Sequence, residues 1–469
     1  MQKRQKITFN IIFILLSLVG TLFLTPYKFE YFKEDSNFVL SILALVNVVV
    51  FLTTARKFFS SWIRYDTLFL LGFLIVHFQI PFLASIGVEP EDPSYTWINK
   101  MVVNYATWLS ALVLLLWLLG FLIYLNKKKK IKSSISYKID TKKIDNLLII
   151  LFFLFVGLVG KEFLSGSYDG GDNWGTGANY AFLLLSVTLY LKIIYFFINH
   201  QDLKITKNNF MFVMMKNKVF IFILVFYVFI FLAAGDRGPV MEVALLTMGA
   251  YSIYQRKIPL SVFFIMVFLG ASIFTVISYG RSDDASSRDK NILEQGYTNL
   301  QKSDTGFNPT NELASSGRIL YRALDAVPDS HPYLYGATMF SDIIGVIPFG
   351  GSVYMEMTNL PDMYKSSSYF FTVLGQGNFF TYGEGSEIIA DIYINLGIYG
   401  VLIIMSCFGY FIAYLTFNAH NSKSHRIMIV YLLLIIGAIY INRSNFLDPL
   451  KIIFYGLIID KFLTKRLIK

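Results

Sequence analysis

The sequence predicts an all-α, polytopic membrane protein, and three observations support this class. Hydrophobic residues make up 55% of the 469 residues, and aromatic residues make up 17%. Only 15% of the residues are charged, against about 25% in soluble domains. The apolar residues also gather into twelve separate segments, most of them close to the roughly 20 residues that a helix needs to cross a bilayer.

The twelve predicted spans are distributed over most of the chain. In order they cover residues 7–24, 37–54, 66–86, 101–125, 147–164, 178–199, 218–234, 240–254, 258–279, 388–418, 427–442 and 449–463. The first span follows the basic segment MQKRQK and therefore looks like a signal peptide. No small-residue cleavage site follows it, which favours a helix that is retained.

The loops between the spans differ in charge, and this difference predicts the orientation. Every even-numbered loop is basic, as in NKKKKIKSSISYKIDTKK, and so are both ends of the chain. The odd-numbered loops are acidic or mixed, as in GVEPEDPSY at 87–95. Because basic loops stay in the cytoplasm, both termini are predicted to be cytoplasmic.

One loop is much longer than the others and divides the chain. Spans one to nine occupy residues 1–279, an outer loop occupies 280–386, and spans ten to twelve occupy 387–469. The long loop has seven Lys/Arg and twelve Asp/Glu. Within it, an amphipathic helix is predicted near residue 320, and the apolar stretch 336–351 is predicted to be re-entrant or interfacial. A long structured loop among short ones is usually functional.

Composition and motifs exclude several function classes. The formal net charge is +10, but the basic residues lie in loops where membrane orientation explains them, so nucleic acid is not an expected partner. The single cysteine, Cys407, can form no intramolecular disulfide. The sequence contains no phosphate-binding loop, paired His/Cys metal spacing or nucleophile elbow.

The turn GDRG at 235–238 is the first candidate site. Pro239 is typical of the first turn of a helix, and Asp236 or Gly238 would cap that helix. The free N–H groups of a helix start favour anions, and Arg237 beside them suits phosphate. The alternative is a tight loop whose arginine reaches lipid headgroups.

Further arginines are predicted on the outer side. In SSGRILYRALD, Arg318, Tyr321, Arg322 and Asp325 share one helix face, opposite an apolar face, which predicts an amphipathic helix on the bundle surface. Its two guanidinium groups would bind an anion; the alternative is a solvated face with an Arg–Asp pair within the helix. Arg281 and Arg443 are two more substrate-binding candidates, although either could be structural.

Three residues are candidates for acid–base chemistry. His331, in DSHPYLYG, is the one histidine placed in an outer loop, where it would act as a base or have a structural role. Glu387 and Asp391, together with Asn395, repeat every four residues at the start of span ten. Carboxylates at that depth usually face the bundle interior or a water-filled cavity. They would take a proton from a hydroxyl, or pair with the arginines.

The chain resembles the oligosaccharide repeat-unit polymerases, the Wzy-type enzymes of O-antigen and capsule synthesis. The residues that carry the resemblance are the GDRG turn, the late outer loop, the segment HPYLYG and the helix GSEIIADIYINLGIYG. The likeness covers the whole architecture and is most specific at 235–238 and 331–400.

This resemblance implies a reaction and its partners. The growing glycan would be transferred from undecaprenyl pyrophosphate to a hydroxyl of a second lipid-linked repeat unit, without metal or nucleotide. Arg237, Arg318 and Arg322 would stabilise the charge on the leaving pyrophosphate, and the base would be Glu387, Asp391 or His331. Membrane lipids, a flippase and a chain-length regulator are the other implied partners.

Two other functions are compatible with the sequence. An O-antigen ligase would use the same donor and would differ in its acceptor, the lipid A core of lipopolysaccharide. A polysaccharide flippase or other transporter would instead show internal repeats and charged residues near the bilayer midplane. Here the charges gather at the outer face, which favours the polymerase.

Overall fold

The computed structural model describes residues 2–127, 136–160, 175–203, 205, 207–233, 235–280, 292–302, 307–421 and 424–467. Most of this part of the chain is helical, so the predicted all-α membrane class is confirmed. In chain order the α-helices are α1 (Gln2–Phe23), α2 (Glu34–Ala55), α3 (Tyr65–Ser85), α4 (Pro93–Trp97), α5 (Val103–Lys127), α6 (Thr141–Val159), α7 (Gly175–Asn199), α8 (Lys207–Lys216), α9 (Lys218–Ala233), α10 (Gly238–Tyr254), α11 (Leu260–Gly280), α12 (Ile292–Lys302), α13 (Asn311–Ala314), α14 (Arg318–Ala326), α15 (Ala337–Ile344), α16 (Gly350–Thr358), α17 (Ser367–Gln376), α18 (Ile388–Asn421), α19 (His425–Ile436) and α20 (Pro449–Leu463). Short 3₁₀ turns cover Lys100–Val102, Ser315–Gly317, Asp362–Lys365 and Tyr440–Arg443.

Each predicted span coincides with one helix, namely α1 to α3, α5 to α7, α9 to α11 and α18 to α20. Among the described residues, seven helices are long and apolar enough to cross a membrane: α1, α2, α3, α5, α7, α11 and α18. Helices α9 and α19 are apolar but shorter, and α10 and α20 have only 17 and 15 residues. The chain is therefore a multi-pass membrane protein.

The even-numbered loops meet at one end of the bundle. The second and eighth loops are joined by a hydrogen bond from Trp62 N to Ile258 O (3.2 Å). The sixth loop joins them, because Ile205 N donates to Gln255 Oε1 (3.0 Å). These are the basic loops of the charge pattern, and the structure places them together.

Two four-residue strands that the sequence did not predict connect the fourth loop to the C-terminal segment. Strand β1 (Ser136–Ile139) pairs antiparallel with β2 (Thr464–Leu467). Asp140 N also donates to Leu463 O (3.0 Å), which extends the pairing. The fourth loop and the C-terminal segment therefore lie at the same end of the bundle.

The odd-numbered loops meet around the long loop. Glu30 N, in the first loop, donates to Met101 O (3.1 Å) beside the third loop. Asn99 Nδ2, in the third loop, donates to Asp325 Oδ1 (2.6 Å) of the long loop. We call this side of the molecule the long-loop end.

Helices α5 and α18 pack against each other and approach each other closely. A Cβ atom added at Gly120 of α5 would lie 2.1 Å from Ser406 O, and one added at Gly409 of α18 would lie 2.1 Å from Trp117 O. Both glycines are therefore required for the backbone contact, as is usual where membrane helices pack through small residues.

Helix α18 bends at Gly397, where the backbone leaves the helical region (φ 65°, ψ −171°). A positive φ of this size favours glycine, because a Cβ atom would clash with the backbone. The bend separates a short first segment, which carries Asp391 and Asn395, from the long apolar remainder. The first segment is buried and contacts the long loop, through Asn395 and Thr338.

Candidate functional site

The GDRG turn forms the start of α10 in the manner that the sequence predicts. Gly235 has a φ of 77°, a region that favours glycine. Asp236 Oδ1 accepts a hydrogen bond from Gly238 N (3.1 Å), and Pro239 occupies the first helical turn. The turn fixes Arg237 directly before the helix, at the long-loop end.

Arg237 belongs to a cluster in which one carboxylate pairs with two arginines. The Arg237 side chain is nearly buried; its Nη1 donates to Phe274 O (2.7 Å), and its Nη2 donates to Glu312 Oε1. Arg443 Nη1 reaches the same Glu312 oxygen at 3.2 Å. Ser278 Oγ donates to Glu312 Oε2 (3.0 Å). We call Arg237, Glu312 and Arg443 the cavity cluster.

The charge state of the cavity cluster follows from its geometry. Burial alone would raise the pKa of Glu312, but the guanidinium groups of Arg237 and Arg443 outweigh it and hold this pKa at about 2. Glu312 is therefore ionised at physiological pH. Two guanidinium cations and one carboxylate leave a net positive charge of one unit on these three side chains.

The cavity cluster lines a cavity of about 520 Å³, which we call the smaller cavity. Its wall also contains Lys451, near the start of α20, and the carboxylates of Asp236, Glu242 and Asp448. The volume falls within the roughly 300–1,000 Å³ of typical ligand sites. Three basic side chains face one space, next to the start of two helices, α10 and α20.

A second arginine cluster lies deeper in the protein. Arg318 Nη1 pairs with Glu384 Oε2, and Arg322 Nη2 lies 3.4 Å from Glu384 Oε1. The Arg318 guanidinium also stacks over the ring of Tyr95, 4.0 Å from its centroid. The side chains of Arg318 and Glu384 are 5% and 1% exposed. We call Arg318, Arg322 and Glu384 the buried cluster.

The environment of α14 differs from the prediction of a surface amphipathic helix. Its polar face is covered by Glu384 and Tyr95, and most of its residues are buried. The expectation that α14 lies on the bundle surface was wrong, because acidic and aromatic residues far away in sequence pack against its polar face. The helical period itself was predicted correctly.

Glu387 lies at the start of α18 and is fully buried. Its Oε1 and Oε2 atoms accept hydrogen bonds from Ile389 N and Ala390 N, both at 2.8 Å, so it caps the helix. His77 Nε2 lies 2.8 Å from Glu387 Oε1, while His77 Nδ1 contacts Phe73 O (3.0 Å). Because a carbonyl can only accept, Nδ1 is the donor there, and one proton must be shared or carried between His77 and Glu387.

Asp391 is fully buried, one turn after Glu387. Its Oδ2 accepts a hydrogen bond from Phe446 N (2.8 Å), which attaches the loop between α19 and α20 to α18. Asn395 Nδ2 donates to Thr338 Oγ1 (2.7 Å) of α15. These two contacts position the eleventh loop and the long loop against the first segment of α18.

His331 is half-buried and packs among aromatic side chains. Its Nδ1 contacts Pro332 O (2.8 Å), and its Nε2 lies 3.3 Å from Tyr364 Oη. The ring makes an edge contact with Phe370 at 5.0 Å. These contacts are those of a packed loop residue.

The structure thus distributes the predicted site residues over different surroundings. Asp236, Arg237 and Arg443 line the smaller cavity, whereas Arg318 and Arg322 belong to the buried cluster. Arg281 lies outside the described residues. Within the described ranges, no group of three or more His, Cys, Asp or Glu side chains is arranged to hold a metal ion.

Sequence reasoning did not identify four residues that matter for these clusters. Glu312 and Glu384 are two of twelve acidic residues in the long loop, and nothing local distinguishes them. Lys451 looks like an ordinary interfacial lysine. His77 carried a readable signal, since an ionisable residue inside an apolar span is uncommon and usually functional.

The fold and the site define a class: a multi-pass membrane protein that presents several basic side chains around a cavity at one end of its bundle. A family model, O-antigen polysaccharide polymerase Wzy, matches residues 6–464. The chain therefore belongs to this family, and it polymerises lipid-linked oligosaccharide repeat units of O-antigen. No curated protein and no solved structure matches the chain.

Proposed function

We propose that the smaller cavity binds the pyrophosphate of the lipid-linked donor while its glycan is transferred to an acceptor hydroxyl. In this reaction the bond between the anomeric carbon and the pyrophosphate oxygen breaks, and the electron pair leaves with the pyrophosphate. The observation that carries the proposal is the convergence of Arg237, Arg443 and Lys451 on one cavity.

Electrostatics explain why such a site would accelerate the reaction. Negative charge grows on the pyrophosphate as the glycosidic bond breaks, and prearranged cations stabilise that charge in the transition state. Guanidinium groups also make bidentate, charge-assisted hydrogen bonds to phosphate oxygens. These groups supply the positive charge from the protein itself, so we propose a metal-independent glycosyltransferase.

The orientation of the protein follows from its loops. The basic loops share one end of the bundle, and we assign that end, with both termini, to the cytoplasm of a bacterial inner membrane. The long-loop end then faces outward. There the lipid carrier, which we take to be undecaprenyl, would present repeat units delivered by a flippase, and a chain-length regulator would contact the same face.

The remaining candidates receive different roles in this proposal. Glu387 and Asp391 position the first segment of α18 and the eleventh loop, because their contacts are with backbone N–H groups and His77. Arg318 and Arg322 hold the long loop through Glu384. We therefore assign the ligand site to the smaller cavity, between α10, the eleventh loop and α20.

Purified protein with the host's lipid-linked repeat unit tests the reaction directly. We expect a ladder of products that forms equally well with excess EDTA and is inhibited by inorganic pyrophosphate. Loss of product with EDTA would refute metal independence, and the absence of pyrophosphate inhibition would refute the anion site.

A deletion strain tests the function in the cell. Loss of a polymerase leaves the lipid A core capped with one repeat unit, whereas loss of a ligase leaves no capped core. We expect the first pattern, restored to a full ladder by the plasmid-borne gene. The second pattern would assign the chain to ligation despite its family.

A further inference from the structure

A second and larger cavity of about 800 Å³ adjoins the smaller one at the long-loop end. It lies between α15, α16, the turn Asp362–Lys365 and the start of α20. Asp448 and Lys451 belong to the walls of both cavities. A molecule bound in the larger cavity would therefore lie next to one bound in the smaller cavity.

Asp342, on α15, is a half-buried carboxylate in the wall of the larger cavity. Asn445 Nδ2 donates to Asp342 Oδ2 at 3.2 Å. The orientation of the Asn445 amide is fixed, because its Oδ1 accepts from Ser367 Oγ (2.7 Å) and Ser368 Oγ (3.0 Å). A chain of hydrogen bonds thus holds Asp342 in a defined position.

The surroundings of Asp342 favour its protonated form. Burial raises the pKa of Asp342 to about 7, and the neighbouring carboxylates of Asp391 and Asp448 act in the same direction. The hydrogen bond from Asn445 and the charge of Lys451 oppose this rise. A general base works best when its pKa lies near the operating pH, because it is then both available and basic.

We propose that the larger cavity binds the acceptor sugar and that Asp342 removes the proton from the acceptor hydroxyl. This inference rests on the proposed function. The acceptor oxygen forms a bond to the anomeric carbon of the donor, and its proton passes to Asp342. The bond to the pyrophosphate breaks at the same time, and its electrons remain on the pyrophosphate in the smaller cavity.

The lining of the larger cavity fits a sugar. Tyr180 and Phe349 stand together in its wall, with ring centroids 6.0 Å apart, and Tyr180 Oη accepts a hydrogen bond from Phe349 N (3.3 Å). Aromatic faces suit the apolar side of a sugar ring, and nearby polar groups suit its hydroxyls. Ser352 and Asn359 supply such groups.

Asp342 has an advantage over the carboxylates that the sequence singled out. Asp342 lines the cavity, whereas Glu387 and Asp391 are 0% exposed. Both oxygens of Glu387 already accept hydrogen bonds from the backbone. The charged groups that face Asp342 from the elements packed around it are Asp391, Asp448, Lys451, Glu356, Asp362 and Lys365.

Asp342→Asn tests the proposal, because it keeps the size and the acceptor oxygen of the side chain while removing the base. With the purified protein and the host's lipid-linked repeat unit, we expect kcat to fall about 10²–10⁴-fold. Inhibition by inorganic pyrophosphate should be unchanged. The matched control is Asp329→Asn, whose carboxylate forms a surface pair with Lys28 and whose loss should leave kcat unchanged.

The pH profile of activity gives a second, independent test of Asp342 as the base. In the wild type, kcat/KM should fall as the pH drops below about 7, because Asp342 becomes protonated, and Asp342→Glu should shift this limb while keeping part of the activity. Activity of Asp342→Asn within tenfold of wild type, or a wild-type profile without an acid limb, would overturn the proposal. Failure of pyrophosphate to inhibit the wild type would instead overturn the anion site.

Discussion

The cavity cluster and the buried cluster have the same composition, two arginines around one glutamate, and they differ in their surroundings. In the cavity cluster, Glu312 is 42% exposed, and both arginines line a cavity. In the buried cluster, Glu384 is 1% exposed, and Arg318 is covered by Tyr95. Access to a cavity therefore separates the proposed ligand site from a structural ion network.

The two clusters are also linked by the chain. Glu312 lies on α13, which continues through a 3₁₀ turn into α14, where Arg318 and Arg322 lie. The buried cluster fixes α14 against the long loop and thereby fixes Glu312 six residues earlier. The buried cluster therefore holds the segment that carries Glu312, and the cavity cluster faces the space in which we propose that the ligand binds.

The largest effect should come from the buried cluster. Arg318→Met removes the main partner of Glu384, and breaking a buried ion pair on one side costs about 3–5 kcal/mol. We expect a large fall in the thermal midpoint of the detergent-solubilised protein and little monodisperse material. The double variant Arg318→Met with Glu384→Gln should recover part of that stability. If Arg318→Met alone kept the wild-type thermal midpoint, the buried cluster would contribute no more to stability than the cavity cluster.

The cavity cluster should respond in activity more than in stability. Arg237→Ala should lower kcat about 10²–10³-fold, as is typical when one prearranged donor to a developing charge is lost. The thermal midpoint should change less than in Arg318→Met, because the partly exposed Glu312 keeps Arg443 and water. Product ladders and midpoints from the same preparations test both statements.

Arg237→Lys sharpens this test. It keeps the charge but loses the bidentate geometry, so partial activity would indicate that charge dominates, and none would indicate that geometry does. Arg237→Ala with full kcat would remove the cavity cluster from the reaction.

A smaller effect is expected from Glu312→Gln, which keeps an acceptor for both arginines and removes one negative charge beside the anion site. The interaction of partly exposed charges is worth up to roughly 1 kcal/mol, so inorganic pyrophosphate should inhibit about fivefold more strongly. Weaker inhibition would indicate that the charge of Glu312 is needed to position the arginines.

The pH dependence separates Glu312 from Asp342. The pKa of Glu312 is lowered from 4.5 to about 2, so its contribution to stability is complete above pH 4.5 and is lost only as the pH falls towards 2. Glu312→Gln should therefore leave the acid limb of activity near pH 7 in place. A shift of the acid limb in Glu312→Gln would indicate that the group responsible for this limb interacts with the cavity cluster.

Much of the fold could be predicted from the sequence, because span positions depend on local hydropathy. The GDRG turn was predictable for the same reason: Gly235, Asp236 and Pro239 act within a few residues of each other. The partners of the arginines could not be predicted from the sequence, because Glu312 lies 75 residues from Arg237 and Glu384 lies 66 residues from Arg318. Pairings at such separations depend on the tertiary packing of the long loop.

His331 should show the smallest effect, although its position in an outer loop made it a candidate base. Its ring packs on Tyr364 and Phe370, and such aromatic contacts are worth about 0.5–1.5 kcal/mol. His331→Gln should therefore lower the thermal midpoint slightly and leave kcat within about threefold of wild type, because a residue without a role in proton transfer contributes none of the ~10²-fold or more of a general base. Loss of the acid limb in His331→Gln would indicate that His331, beside Tyr364, accepts the proton instead of Asp342. The separate roles proposed for the two cavities would then be wrong.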